Sequence, residues 1–224
     1  MITGPEHVSS PDSDIRTKGP TMYRHDPSER IAIFIDGENI HYSAKHMNMR
    51  LDYIKMCKAL AGDRRLIRAT FYTAISNQSE GKIDFINFLR LNGFRVVTKE
   101  LRSFTEAETQ QRFFRGNLDL DIAIDIYEML PGLDTVILCS GDGDFVRLVE
   151  SVSRHGKHVE VCALREMTST DLIAVSDEYI DLGTMRDHLA LDAPPPERRE
   201  DGPPQSQIRN DLDSARIDYN AIEY

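Results

Sequence analysis

The sequence predicts an α/β fold, a three-layer α/β/α sandwich around a mainly parallel central sheet. Short apolar runs alternate along the chain with longer segments in which apolar residues recur every three to four positions. This alternation is typical of strands connected by helices. Acidic residues directly follow two of the apolar runs. Because ligand crevices in parallel sheets lie beyond the carboxyl ends of the strands, we expect a site at that edge.

The apolar runs are the predicted strands, and the periodic segments are the predicted helices. The strands are expected at residues 31–35, 66–73, 94–101, 135–139 and 158–164. The helices are expected at residues 51–61, 81–91, 118–130 and 144–154. Strands of a parallel sheet are covered by helices on both faces, which explains why these runs are continuously apolar.

Composition divides the chain into a folded body, residues 30–189, and two tails that we expect to be disordered. Residues 1–29 are rich in Ser, Pro and Gly, and residues 190–224 are acidic and Pro-rich. Such segments have too few apolar side chains to form a core. Residues 217–224 regain aromatic and branched side chains. Two interpretations of them stay open, a solvated chain end and a segment that docks a protein partner.

The net charge of −10 is unusual for a protein that binds nucleic acid. Its distribution matters more than its sum. Counting along the sequence places −2 on the first tail and −4 on the second, which leaves −4 on the body. Divalent cations bound to several of the body's acids would bring it close to neutrality.

The chain has the features expected of a cytoplasmic protein. It contains no run of about 18 consecutive apolar residues, and its N-terminal segment lacks the apolar core of a secretory signal. Its three cysteines, Cys57, Cys139 and Cys162, are odd in number and far apart. We expect buried thiols in a reducing compartment, without a zinc site.

Acidic side chains follow two predicted strands, at the edge where the crevice is expected. Asp36 and Asn39 come after the first strand, and Asp142 and Asp144 come after the fourth. Helical periodicity places Asp119 at the start of a helix, on its apolar, sheet-facing side. A lone carboxylate is costly to bury there, so a bound cation is the simplest explanation.

Each of these acids also has a purely structural interpretation. Asp36, Asp142 and Asp144 each stand before a turn or helix that an Asp side chain caps well. Their convergence favours a metal site, because carboxylates held together repel one another unless cations lie between them. Oxygen ligands without Cys or His select Mg²⁺ or Mn²⁺ over zinc. Residues 142–144 lack the remaining ligands of a calcium loop.

Three further acids, Asp121, Asp125 and Glu128, share another face of the helix that Asp119 begins. We expect Asp121 and Glu128 on the solvent-exposed face. The position of Asp125 stays open, because it depends on where the helix starts.

A basic and aromatic series precedes this helix. Its members are Arg90, Phe94, Arg95, Lys99, Arg102, Phe104, Arg112, Phe113, Phe114 and Arg115. Such a surface can hold the backbone of a single nucleic-acid strand and stack its bases. We expect Phe94 in the core, and Arg112, Phe114 and Arg115 in contact with a substrate.

Four segments occur in an order and at spacings that are specific, although each is weak alone. They are FIDGENI at 34–40, LDLDIAID at 118–125, SGDGDF at 140–145 and STDLIAVSDEYI at 169–180. Together they resemble the NYN domain of LabA-like proteins, in the PIN-like nuclease superfamily. The resemblance covers about residues 30–186 and neither tail.

The resemblance implies a PIN-like, Rossmann-like sandwich with an acidic site for Mg²⁺ or Mn²⁺. Carried over residue by residue, Asp36, Asp119, Asp142 and Asp144 look like the acidic cluster, and Asn39 looks like the polar residue beside it, which we expect to contact a substrate. The acids selected by the strand ends and the helix start are the same set as the acids that the family implies.

One departure from the family concerns the residues before Asp119. Relatives commonly place Lys-Gly one residue before a Val-Asp pair, whereas Arg115-Gly-Asn117 precedes Leu118-Asp119 here. Arg115 keeps the charge, but the added Asn117 changes its placement.

The implied function is a metal-dependent ribonuclease that hydrolyses phosphodiester bonds of single-stranded or structured RNA. The alternative is a non-catalytic regulatory module that binds RNA or a protein partner through the same fold, because a carboxylate cluster is not sufficient for catalysis. A haloacid-dehalogenase-like phosphatase with Asp36 as nucleophile is disfavoured, because Glu38 stands where a second Asp is needed.

Overall fold

The computed structural model describes residues 26–75, 80–100, 102–105, 112–115 and 118–191. Most of each predicted tail, residues 1–25 and 192–224, lies outside the described residues. Three described tail residues nevertheless contact the body, and one of them is Ala190, whose carbonyl accepts from the Lys55 ammonium at 3.3 Å. Glu29 accepts a hydrogen bond from the Thr135 hydroxyl, and the Leu191 N–H donates to the Arg50 carbonyl at 2.9 Å.

The described residues contain eight strands. They are β1 Arg30–Asp36, β2 Arg65–Ile75, β3 Arg95–Glu100, β4 Arg102–Thr105, β5 Arg112–Arg115, β6 Thr135–Cys139, β7 His158–Ala163 and β8 Glu178–Asp181. Six of them form one sheet in the order β3-β2-β1-β6-β7-β8, in which every neighbouring pair is parallel. The other two, β4 and β5, form a separate antiparallel pair.

Helices cover both faces of the sheet. They are α1 Gly37–His46, α2 Tyr53–Ala61, α3 Glu80–Leu91, α4 Asp119–Met129, α5 Val146–Arg154, α6 Thr170–Val175 and α7 Arg186–Leu189. Apolar side chains of α1, α2, α3 and α7 pack on one face, and those of α4, α5 and α6 pack on the other. The predicted three-layer sandwich with a parallel sheet is therefore confirmed.

Strand β1 lies at the centre of this arrangement. Ile31, Ile33 and Ile35 face one core, whereas Ala32 and Phe34 face the other, and all five are fully buried. A strand with two buried faces must be apolar at every position, which explains its continuous apolar run.

The chain reverses its direction across the sheet beside β1. It runs outward from β1 through β2 to β3, then returns to place β6 on the other side of β1. Such a reversal opens a crevice beyond the carboxyl ends of the two strands that flank it. These ends carry Asp36 and the loop that begins at Ser140.

The structure adds elements that the periodicity does not predict. Helix α1 follows β1 with only Asp36 as its N-cap, and β8 is a short strand at the sheet edge. The predicted strand at 94–101 ends at Glu100, and the β4–β5 pair follows it. Side-chain periodicity is a weak signal in elements of four residues, which explains why β4, β5 and β8 were missed.

Two smaller expectations are also tested by the described residues. All three cysteines are buried and unbridged, as predicted. Phe94 lies in the core, 7% exposed. Among the described residues, no helix combines the length and apolar character needed to cross a bilayer.

Candidate active site

Asp36 connects the two loops that line the crevice. One of its carboxylate oxygens, Oδ1, accepts from the Asn39 backbone N–H at 3.1 Å, so Asp36 is the N-cap of α1. The other oxygen, Oδ2, accepts from the Ser140 hydroxyl at 3.1 Å. The capping interpretation of Asp36 is therefore correct, and the same side chain reaches across to the loop after β6.

Asn39 and Ser140 complete this connection. The Asn39 side-chain carbonyl accepts from the Gly141 N–H at 2.9 Å. The fully buried Ser140 hydroxyl also accepts from the Asp142 N–H at 3.2 Å. Asn39 was expected to contact a substrate, but in this structure its side-chain oxygen holds the β6 loop in place.

Two glycines allow these loops to pack closely against neighbouring segments. A Cβ at Gly37 would lie 2.6 Å from the Phe71 ring and from the Tyr72 carbonyl oxygen. A Cβ at Gly141 would lie 2.7 Å from the Met167 carbonyl oxygen. A larger residue at Gly37 would therefore clash with β2, and one at Gly141 would clash with the segment before α6.

Three of the four predicted acids come together at this edge. Asp119, Asp142 and Asp144 each offer a carboxylate oxygen, and these oxygens lie within 4.8 Å of one another. Asp119 is the first residue of α4, and Asp142 caps the short turn before α5 by accepting from the Asp144 N–H at 3.0 Å. Asp36 lies beside this group and is not a member of it.

The acids influence one another electrostatically. The pKa of Asp36 is raised from its ordinary value to about 6, mainly by burial and to a lesser extent by the charges of Asp119 and Glu38. Hydrogen bonds from Asn39 and Ser140 oppose this shift without reversing it. A carboxyl group with a pKa raised by burial and by neighbouring acids is typical of functional sites.

The other acids of α4 face away from the cluster. The Asp125 carboxylate accepts from the Tyr72 hydroxyl at 2.8 Å. Asp121 pairs with Lys99 at 2.8 Å, with both side chains partly exposed, and Glu128 is exposed. The sequence left open on which side of α4 Asp125 lies, and in the structure it lies against Tyr72 of β2.

The predicted substrate residues Arg112, Phe114 and Arg115 lie in β5, three residues before α4 begins. In the β4–β5 pair, Phe114 stands opposite Ser103 and Arg115 opposite Arg102. Their side chains lie outside the described part of the structure. Their contact with a substrate stays a prediction.

A second group of possible ligands lies elsewhere, on β7 and β8. His158, Glu160 and Glu178 offer atoms within 4.8 Å of one another. Glu160, however, is fully buried and paired with the Arg64 guanidinium. A carboxylate that already neutralises a buried guanidinium is a structural ion pair, so we do not assign this group a metal.

Three residues near the crevice were missed by the sequence analysis. Ser140 belongs to the SGDGDF segment, and its position two residues before Asp142 was the available signal. Glu38 lies half-buried in the first turn of α1. Lys82 occupies a position on the apolar stripe of α3, and a lysine in such a stripe was the signal that could have identified it.

The sequence model of the NYN domain family matches residues 30–183, a range that contains all four acids. The chain belongs to the NYN domain family. Over 163 residues it is 32% identical to the low amplitude and bright protein LabA of Synechococcus elongatus, which covers 71% of this chain and 87% of LabA. The predicted resemblance is therefore confirmed.

Two further similarities extend the comparison of this NYN domain. Over 156 residues the chain is 26% identical to an uncharacterised protein of Methanocaldococcus jannaschii, and it spans about half of that protein, 55% of its length. A solved structure of a protein of unknown function from Vibrio parahaemolyticus is 29% identical, with a TM-score of 0.62 over 75% of this chain and 100% of the other.

Membership in the NYN family indicates a PIN-like nuclease fold, and nucleases of this kind typically use divalent metal ions. The residues at the crevice fit such an ion. Asp119, Asp142 and Asp144 supply hard oxygen donors without a Cys or His among them. This donor set suits Mg²⁺ or Mn²⁺ rather than zinc.

Proposed function

We propose that this chain is a metal-dependent ribonuclease that hydrolyses phosphodiester bonds of RNA. One observation carries the proposal: Asp119, Asp142 and Asp144 bring carboxylate oxygens within 4.8 Å of one another at the crevice of a NYN domain. Asp36 completes the acidic site beside them. The expected cofactor is Mg²⁺ or Mn²⁺, held by these carboxylates.

A bound divalent cation supplies an activated water and neutralises the charge that develops on the scissile phosphate. The residues of the chain hold and orient the components. Asp119 comes from a helix and Asp142 and Asp144 from the β6 loop, so the site depends on the relative position of these elements. Asp36 and Asn39 hold the β6 loop against the start of α1 by accepting hydrogen bonds from Ser140 and Gly141.

The proposed substrate is single-stranded or structured RNA, placed by the β4–β5 pair. Arg112 and Arg115 would bind phosphate groups, and Phe114 would stack on a base. The short connection from β5 to α4 supports this, because it joins the basic strand to the helix that carries Asp119. Local positive charge at this strand would attract RNA despite the net negative charge of the chain.

Cleavage of a labelled single-stranded RNA by the purified full chain tests the proposal. We expect cutting in Mn²⁺ or Mg²⁺, none in chelator, and a loss of at least about a hundredfold in Asp36→Asn and Asp142→Asn, as for other essential site groups. Asp63→Asn is the matched control, since Asp63 is exposed in the turn between α2 and β2. Unchanged cutting in both site variants would refute the assignment.

A second function is a regulatory module that binds RNA or a protein without cutting. It is favoured by one observation, that both oxygens of Asp36 already have structural partners. RNA binding without cleavage in the same assay would support it. A protein partner retained after deletion of residues 192–224 would place the interaction on the domain rather than on the C-terminal segment.

A further inference from the structure

The side chain of Ser169 lies against the loop that carries Asp142 and Asp144. Ser169 is the first residue of the fourth motif and directly precedes helix α6. A Cβ at Gly143, the residue between the two acids, would lie 3.1 Å from the Ser169 hydroxyl oxygen and 3.2 Å from its Cβ. The half-buried Ser169 side chain is therefore a direct neighbour of the acidic loop.

The connection between β7 and α6, residues 164–169, is held in place without the Ser169 hydroxyl. The Ser169 backbone N–H donates to the Gly141 carbonyl at 2.9 Å, which ties the connection to the acidic loop. The buried Thr168 hydroxyl donates to the Leu164 carbonyl at 2.7 Å. Because these contacts do not involve the Ser169 side chain, its hydroxyl is not needed to position the connection.

The Ser169 hydroxyl does not cap α6 either. The Ser169 carbonyl accepts from the Ile173 N–H at 3.2 Å, so Ser169 is the N-cap residue of this helix. A serine in that position ordinarily accepts a hydrogen bond from an N–H of the first helical turn. Here the side chain makes no such bond, and it forms no hydrogen bond with any other residue that the structure describes. The hydroxyl is available to a ligand.

The chemistry of the acidic cluster gives such a hydroxyl a use. The ionised carboxylates of Asp119, Asp142 and Asp144 accept hydrogen bonds and cannot donate them. The oxygens of an RNA phosphate are also acceptors, so those that a cation does not hold need donors from the protein. The Ser140 hydroxyl already donates to Asp36 at 3.1 Å. The Ser169 hydroxyl has no such acceptor among the described residues.

We propose that the Ser169 hydroxyl donates a hydrogen bond to a phosphate oxygen of bound RNA, beside the acidic loop. The inference rests on the proposed function for the identity of the substrate. It adds a substrate contact from the connection between β7 and α6 to those expected from the β4–β5 pair. Ser169 therefore contributes to the affinity for RNA and not to the affinity for the cation.

Cleavage of a labelled single-stranded RNA by full-length Ser169→Ala in Mn²⁺ tests the proposal. We expect KM to rise about tenfold, because a hydrogen bond to a charged group is lost. We expect kcat to change by less than about twofold, since the contact is made before and during the reaction. The Kd for Mn²⁺, measured by calorimetry, should be unchanged, and Ser169→Thr, which keeps the hydroxyl, should return KM towards the wild-type value.

Ser176→Ala is the matched control. Ser176 lies at the other end of α6, where its hydroxyl donates to the Ile173 carbonyl at 2.9 Å. Its removal should leave KM unchanged. Urea denaturation should give Ser169→Ala the same midpoint as the wild type, because the Ser169 hydroxyl caps nothing. A raised KM that comes with weaker Mn²⁺ binding or a lower urea midpoint would contradict a direct contact with RNA.

Equilibrium binding of the same RNA keeps this proposal distinct from the nuclease. If the wild type binds RNA in Mn²⁺ without cutting it, a Kd about tenfold weaker in Ser169→Ala would support the contact and refute the nuclease alone. Cleavage with an unchanged KM in Ser169→Ala would refute the contact alone. A wild type that neither binds nor cuts RNA would refute both.

Discussion

Asp36 combines a structural role with an electrostatic cost. Its hydrogen bonds to Asn39 and Ser140 join two loops, yet burial raises its pKa to about 6. At neutral pH the ionised carboxylate is therefore less favourable in the folded chain than in the unfolded one. Such tension is typical of functional sites, where stability is given up for reactivity.

The first prediction concerns the stability of the metal-free protein. Because the folded pKa of Asp36 lies above the ordinary value of 3.8, its protonated form stabilises the fold. This contribution is complete below about pH 4 and is lost as the pH rises through about 6. Asp36→Asn should therefore raise the free energy of unfolding at pH 7.5 by about 1–3 kcal/mol, with little change at pH 4.

Urea denaturation of the two chains in chelator at both pH values measures this difference. Asp142→Asn is the comparison, since it removes a charge from the neighbouring loop after β6. Equal destabilisation by Asp36→Asn at both pH values would show that its hydrogen bonds outweigh the cost of its charge.

Single residues also show what sequence reasoning can separate and what it cannot. Capping and metal binding were treated as alternatives for Asp36 and Asp142, but both residues are caps that also lie at the acidic crevice. Asp125 could not be placed from the sequence, because its side of the helix depends on where the helix begins. Only the contact with the Tyr72 hydroxyl settles it.

At the scale of elements, the strongest signals came from the buried strands. Strand β6 is predicted with the bounds that the structure has, because all five of its residues are buried. Helix α1 was missed because Asp36-Gly37 reads as a loop, although Asp36 is a good N-cap. The β4–β5 pair was not predicted, since it lies beyond the expected strand at 94–101 and pairing partners cannot be seen in a single short run.

A buried ion pair joins two elements away from the acidic edge. Arg64, in the turn before β2, is 6% exposed and its Nη2 lies 3.1 Å from the Oε2 of the fully buried Glu160 on β7. Arg64 also lies 3.5 Å from Glu29 and donates to the Leu60 carbonyl at 2.7 Å. The guanidinium is thus held from several sides.

The second prediction is that Glu160→Gln lowers the free energy of unfolding by about 3 kcal/mol, because it leaves a buried guanidinium without its main countercharge. The double variant Arg64→Met/Glu160→Met should lose less free energy of unfolding than the single variants Arg64→Met and Glu160→Met lose together. Chemical denaturation of the wild type, the two single variants and the double variant gives the coupling energy between the two side chains. Additive losses would mean that the two side chains do not interact in solution.

At the scale of the whole molecule, the order of the strands creates the site. Asp36 and Ser140 are 104 residues apart, yet β1 and β6 are neighbours and place them in contact. Because a ligand of the native site binds only the folded chain, it stabilises the entire domain.

The third prediction follows from this stabilisation of the folded chain by a bound ligand. Mn²⁺ at a hundredfold excess over its Kd should raise the free energy of unfolding by about 2.7 kcal/mol, and chelator should reverse the gain. Thermal melts of the wild type and Asp142→Asn, with and without Mn²⁺, measure it. An equal shift in both chains would place the ion outside the acidic site.

The sequence by itself determined the parallel α/β sandwich, the family, and the acids that stand at the ends of strands. These follow from local periodicity, from burial on both faces of a strand and from the spacing of four motifs. Only the tertiary structure decided which acids meet: Asp119, Asp142 and Asp144 converge, and Asp36 holds the loops together. The physical reason is that periodicity assigns a residue to a face or an edge, whereas distances across the crevice depend on strand order and on the packing of α1, α3 and α4.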